Sequence, residues 1–159
     1  TLAEQGVSQG YLALLACMYS NQTGSVGNGT LFRILRGVKQ GDVISPLLFN
    51  AGLEIAIRRW KRKLGQHGLL IDGPERQTNI RYADDLIIYA GSWHELCDMV
   101  EMLVTELSSV GLALNTGKTK ILTTASLDVP LYIDIVDGFV EVLHGNTTHK
   151  YLGKQFPGN

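Results

Sequence analysis

Between Asn79 and Ala90, two short apolar arms enclose a pair of adjacent carboxylates, Asp84 and Asp85. Ile80 and Tyr82 lie on one arm, and Leu86 to Tyr89 form the other. Apolar arms around a polar break predict a β-hairpin with the acids at its tip. Two neighbouring carboxylates repel each other, and a divalent cation reverses this because its charge favours both ionised forms. Hard oxygen ligands suit Mg²⁺, which keeps several waters and shares its shell with substrate phosphates. Taken alone, the dipeptide reads first as an ordinary polar turn, since aspartate is a common turn residue. Its meaning depends on what flanks it.

A chain of 159 residues is about one domain, long enough to bury a core. With 45% hydrophobic and 18% charged residues it is globular in composition, not disordered. The net charge of −1 does not by itself point to nucleic acid, whose partners usually carry a basic surface. Cys17 and Cys97 show no CxxC spacing, which excludes a zinc finger or a disulfide scaffold and fits a reducing compartment. No apolar run approaches the ~20 residues that span a bilayer, so no membrane partner is expected. The first residues lack a charged n-region, and no signal peptide is predicted. Both ends read as cuts inside a longer polyprotein.

Helical periodicity begins after Ser8, a good N-cap, with Tyr11, Leu12, Leu15, Met18 and Tyr19. Residues 21–30 are polar and glycine-rich and read as a loop or hairpin turn, with a strand over 32–35. Ser45 at an N-cap and Pro46 at the first helical position predict a long helix. Its apolar face is Phe49, Leu53, Ile57, Trp60 and Leu64, and Gly65 ends it. Ser92 followed by Glu95 predicts a capping box before Leu96, Val100, Leu103, Leu107 and Val110, with Gly111 as the stop. Residues 121–123 read as a strand. Asp137-Gly138 favours a tight turn between the runs 131–136 and 139–143. A final strand starts at Tyr151-Leu152. The predicted class is α+β, with helices packed on one face of an antiparallel sheet.

With these elements in place, four segments carry a resemblance. Tyr82-Ala83-Asp84-Asp85 is similar to the catalytic hairpin of reverse transcriptases. Arg36-Gly37-Val38-Lys39-Gln40-Gly41-Asp42, running on to Asn50, resembles the family motif before it. Gly111-Leu112-Ala113-Leu114-Asn115-Thr116-Gly117-Lys118 resembles the motif after it, and Tyr151-Leu152-Gly153 the primer-grip strand beyond. The four stand in family order from Arg36 to Phe156. The wording is closest to non-LTR retrotransposon enzymes, with group II intron enzymes the nearest relatives. The resemblance implies a polymerase palm, present as a partial domain over residues 1–159. Fingers, thumb and the first catalytic strand would lie outside it.

The resemblance also implies roles. Asp84 and Asp85 match the metal-binding pair, which in the family serves two Mg²⁺ ions, with Mn²⁺ as an alternative. Tyr82 matches the residue beside the primer end, and Gln40 and Gly41 the loop touching templating base and incoming nucleotide. Arg36 would meet phosphate or template backbone. Lys118 matches the lysine that serves the leaving pyrophosphate, although Lys120, two residues on, fits the position as well. Asn115 would fix the loop that presents Lys118. Implied partners are an RNA or DNA template, a DNA primer, dNTPs and the remainder of the parent polyprotein. A nuclear location would suit a retrotransposon protein. Arg58 to Lys63 form a basic cluster that the helix dipole and solvent already explain. His67, His94, His144 and His149 show no ligand spacing and receive no role.

A reverse transcriptase palm requires one more aspartate, which the family places in a Phe-x-Asp strand. Glu4 is the only acid before Asp42, and neither fits that position. The expected whole is therefore an RNA-directed DNA polymerase in the parent protein, with this chain inactive by itself. The competing expectation is a non-catalytic remnant on a polymerase scaffold.

Overall fold

The computed structural model describes residues 2–27, 29–35, 37–39, 41–123, 130–135, 138–143 and 148–157. The chain divides into two compact units, Thr1–Ile55 and Ala56–Asn159. Among the described residues no helix is long and apolar enough to cross a membrane.

In the first unit a 3₁₀ turn, Ala3–Gln5, precedes helix α1, Gln9–Tyr19. Ser8 caps α1 as expected, its hydroxyl accepting from Tyr11 N–H at 3.4 Å. Strands β1 (Thr23–Val26) and β2 (Thr30–Arg33) then pair antiparallel, Thr23 opposite Arg33. The glycine-rich stretch is thus a hairpin, and its second strand opens two residues earlier than the apolar run suggested.

Helix α2 spans Ser45–Lys63 and belongs to both units. The expected Ser45 N-cap shifts by one position. Ser45 is already helical and buried, and its hydroxyl shares a 3.3 Å hydrogen bond with Tyr19. The Asp42 carboxylate instead accepts from Ile44 N–H at 3.2 Å, a local turn bond that leads the chain into the helix. Leu53, Ile57, Trp60 and Leu64 are all buried, as the periodicity requires. Gly65 follows with φ of 55°, a conformation that suits glycine at a helix end.

The second unit is built on helix α3, Trp93–Ser109. Short strands β3 (Leu69–Leu70) and β4 (Arg76–Gln77) pair, as do β5 (Asn79–Tyr82) and β6 (Asp85–Ile88). Strands β7 (Lys120–Leu122), β8 (Tyr132–Ile135) and β9 (Gly138–Leu143) form one sheet in the order β7-β9-β8. Strands β10 (Thr148–Tyr151) and β11 (Lys154–Pro157) make a last hairpin.

Helix α3 buries two sides. Val100 and Val104 meet Ile121, Ile133, Ile135, Val140 and Val142 of the three-stranded sheet. Ile88, Trp93, Leu96, Cys97 and Leu114 pack at the margin of this core. Towards α2, the Trp60 indole donates to the Met99 carbonyl at 2.8 Å, and Lys63 Nζ pairs with Glu106 at 2.5 Å. Burying the whole Trp60 side chain with its polar atom satisfied is strongly stabilising.

Three expectations are corrected. The mixture of helix and sheet stands, but among the described residues the strands form five small sheets instead of one antiparallel sheet. Within the largest, β7 and β9 run parallel, because β9 returns from β8 in the direction of β7. Gly138 pairs with Ile135 and so belongs to β9, while Asp137, the other half of the expected turn, lies outside the described residues. Tyr151-Leu152 does not open a strand. Tyr151 ends β10, and Leu152-Gly153 are a turn, because both residues have positive φ, 46° and 83°.

Candidate metal-binding hairpin

The β5–β6 ladder fixes what the acidic hairpin presents. Tyr82 lies directly opposite Asp85, so Ala83 and Asp84 form a two-residue turn. Ala83 has φ of 52°, a left-handed conformation that costs a non-glycine residue about 1–2 kcal/mol. Asp84 and Asp85 are both exposed, and Tyr82 is 66% exposed. The strand beneath is anchored, since Ile88 packs against the α3 core. Side chains alternate along a strand, so Asp85, Ile87 and Tyr89 share the face opposite to Leu86 and Ile88. Tyr89 N–H donates to Thr78 O at 2.9 Å and extends the ladder.

Tyr151 belongs to this neighbourhood. Burial first, then the Asp85 carboxylate, then Tyr89, push its phenol above the ordinary range. Its hydroxyl is buried, with no hydrogen-bond partner among the described residues. Leu152 and Gly153 form the turn beyond β10, and Leu152 is 53% exposed.

The two lysines separate clearly. Lys120 Nζ is engaged by Glu141 at 2.7 Å across the β7–β9 pair. Lys118 is exposed on the turn before β7, and its N–H donates to both the main-chain and side-chain oxygens of Asn115 at 3.1 Å. Thr119 Oγ1 also donates to Asn115 O, at 2.8 Å. Asn115 thus shapes the turn that presents Lys118. The sequence left Lys118 and Lys120 open because Glu141 is 21 residues from Lys120.

Arg36 and Gln40 lie outside the described residues. Gly41 is exposed in the first unit with φ of 87°, a backbone that favours glycine. One structural residue was read too narrowly. Glu95 does more than cap α3. One oxygen accepts from Gly91 N–H at 2.7 Å and the other from Gly68 N–H, so it ties the β3–β4 segment to the start of α3.

The donor set at the tip is two carboxylates with hard oxygens. Among the described residues no group of three or more His, Cys, Asp or Glu forms a closed metal cage. Two exposed carboxylates suit an ion such as Mg²⁺, which is commonly bound by one or two carboxylates with waters and substrate phosphates.

Comparison with known proteins adds a family match. The model of the family described as "Reverse transcriptase (RNA-dependent DNA polymerase)" matches residues 3–156. The chain is 30% identical over 122 residues to the retrovirus-related Pol polyprotein from the type-2 retrotransposable element R2DM of Drosophila melanogaster. That match covers 74% of this chain and 11% of the relative. A Pol polyprotein from a type-1 retrotransposable element R2 of Popillia japonica is 27% identical over 161 residues, 96% of this chain and 26% of the relative. Its counterpart in Nasonia vitripennis is 32% identical over 90 residues, 57% of this chain and 8% of the relative. The matches thus span between 8% and 26% of the length of these three relatives.

Proposed function

This chain belongs to the reverse transcriptase (RNA-dependent DNA polymerase) family, of the non-LTR retrotransposon type, and on that premise we propose that it is the metal-binding part of a polymerase palm. The parent protein would copy an RNA or DNA template by adding dNTPs to a DNA primer. The observation that carries this reading is the exposed Asp84-Asp85 tip on a strand anchored in the core, inside the residues that the family model matches.

In this reading Asp84 and Asp85 hold divalent cations, Mg²⁺ or Mn²⁺. When bound, the metal supplies positive charge to the reacting phosphates and favours the ionised primer hydroxyl. The remaining roles belong to the chain itself. Tyr82 packs beside the primer end, opposite Asp85 in the ladder. Lys118 delivers a proton or a positive charge to departing pyrophosphate, a role for which its exposed position on the Asn115 turn is suited. The ion pair of Lys120 with Glu141 favours Lys118 over Lys120 for that role. Gly41 allows close backbone approach to the nucleotide, with Gln40 reading the templating base and Arg36 meeting phosphate. Tyr151, Leu152 and Gly153 act as primer grip in this reading.

The test is primer extension with Mg²⁺ by the longer protein that contains this chain. Asp84→Ala should lower incorporation by roughly a thousandfold or more, the scale for loss of a group that stabilises transition-state charge. An unaffected rate would reject the catalytic assignment. The 159-residue chain alone should extend no primer, since it matches only 11% and 26% of the length of two relatives.

A further inference from the structure

Away from the acidic hairpin in sequence, a cleft of about 370 Å³ opens at the C-terminal end of α2. Lys61, Gln66, His67, Glu75, Arg76 and Thr78 are among its lining residues. Lys61, Gln66, Glu75 and Arg76 are exposed, so the cleft is open to solvent. Among the described residues no Phe, Tyr or Trp lines it.

The walls are built, not merely solvated. Arg76 Nη1 donates to the Gly68 carbonyl at 2.8 Å. That glycine is itself held, through its N–H, by the Glu95 carboxylate. A Cβ on Gly68 would meet the Gln77 carbonyl oxygen at 2.8 Å, so the chain passes there only as glycine. His67 Nδ1 faces the Leu64 carbonyl oxygen, which can only accept, so Nδ1 donates and Nε2 remains for a ligand. Anchored in this way, Arg76 still keeps most of its five N–H donors.

The charge is local. Of the cluster Arg58 to Lys63, Lys61 lines the cleft, while Lys63 is paired with Glu106. Among the described residues lining the cleft, Lys61 and Arg76 are the cations and Glu75 the acid. Cations without an aromatic platform bind phosphates rather than stacked bases.

The geometry points to a phosphate-binding cleft for the sugar-phosphate backbone of a nucleic-acid strand. Lys61 and Arg76 are its anion contacts, and Glu75 limits its affinity. The inference rests on the reading of the chain as part of a polymerase, but the cleft needs neither the acidic tip nor a metal. It also gives Lys61, within the basic cluster at the end of α2, a role beyond balancing the helix dipole.

Fluorescence anisotropy with a labelled RNA–DNA duplex of mixed sequence tests it, using the whole chain in EDTA over a series of salt concentrations. Circular dichroism controls for folding. Lys61→Gln, at an exposed helix end, should weaken binding roughly threefold to tenfold and lower the log–log salt slope by about 1. Arg76→Ala should act in the same direction. Glu75→Gln should tighten binding, which a merely structural residue would not do. Lack of binding by the unsubstituted chain overturns the inference, as does an unchanged slope in folded Lys61→Gln. Since no incorporation is measured, failure here leaves the Asp84 test of the polymerase reading standing on its own result.

Discussion

The two units of the chain are held together by different means. In Ala56–Asn159 one helix is buried on two sides, with a run of core residues that includes Trp60, Met99, Leu103 and Val140, all nearly inaccessible. In Thr1–Ile55 the buried apolar residues among those described are Leu15 and Leu53. Val26, Leu35 and Val43 of that unit are 75%, 84% and 91% exposed. Its order comes from a capped helix, a four-pair hairpin and side-chain bonds such as Gln5 Nε2 to Ala51 O at 2.9 Å. Hydrogen bonds of this kind add little net stability, about 1 kcal/mol each, because water offers the same bonds to the unfolded chain. Apolar burial carries the larger share. The acidic tip therefore stands on the well-buried unit, and the nucleotide-loop candidate Gly41 on the sparsely buried one.

Substitutions can sharpen or break this contrast. The largest effect should come from Trp60→Ala, which removes a wholly buried ring and the bond to Met99 O. A loss of about 3–5 kcal/mol in chemical denaturation is expected. A loss below 1 kcal/mol would show that α2 and α3 do not share a core. Thiol labelling compares the units directly, since each carries one cysteine. Cys17 is exposed, whereas burial, then Glu101, then Asp98 push the Cys97 thiol upward. The thiolate is the reacting form, so at pH 8 Cys17 should label about tenfold faster or more by peptide mass spectrometry. The sign for stability follows. A raised thiol pKa stabilises the fold while the unfolded thiol is still protonated. That contribution is lost as pH rises through and above the ordinary thiol range of about 8.5. Equal labelling rates would remove the contrast at these two positions. The smallest effect belongs to Leu35→Ser, on a side chain already in water. It should change stability by no more than about 0.5 kcal/mol in the same denaturation measurement. A larger loss would mean that the first unit depends on this side chain for cohesion.

Much of this architecture was written in local pattern. The buried face of α2 is readable because Leu53, Ile57, Trp60 and Leu64 recur at the helical period, and burial of that face is what the period reports. The hairpin at Asp84 is readable because two short apolar runs flank a polar pair. Strands β3 and β4 were missed: two residues each, around a glycine, a proline and charges, carry no period. The parallel pairing of β7 with β9 was missed because a strand's sequence does not name its neighbour. Leu152 illustrates a third kind of failure, since leucine gives no sign of a left-handed backbone and only Gly153 hints at a turn. Among the candidate site residues, Asp84, Asp85 and Lys118 were singled out from motif spacing, and all three are exposed. The distinction between Lys118 and Lys120 required Glu141, which folding alone brings near.

The turn at Ala83-Asp84 also sets a rule for how such a tip can vary. With Tyr82 opposite Asp85, the count of residues between them is fixed at two. Adding one residue would slide one strand against the other and turn Asp85 to the opposite side of the ladder, where Leu86 and Ile88 now point. Deleting one would leave no room to reverse the chain. The tip can therefore change by exchange of side chains but hardly by change of length.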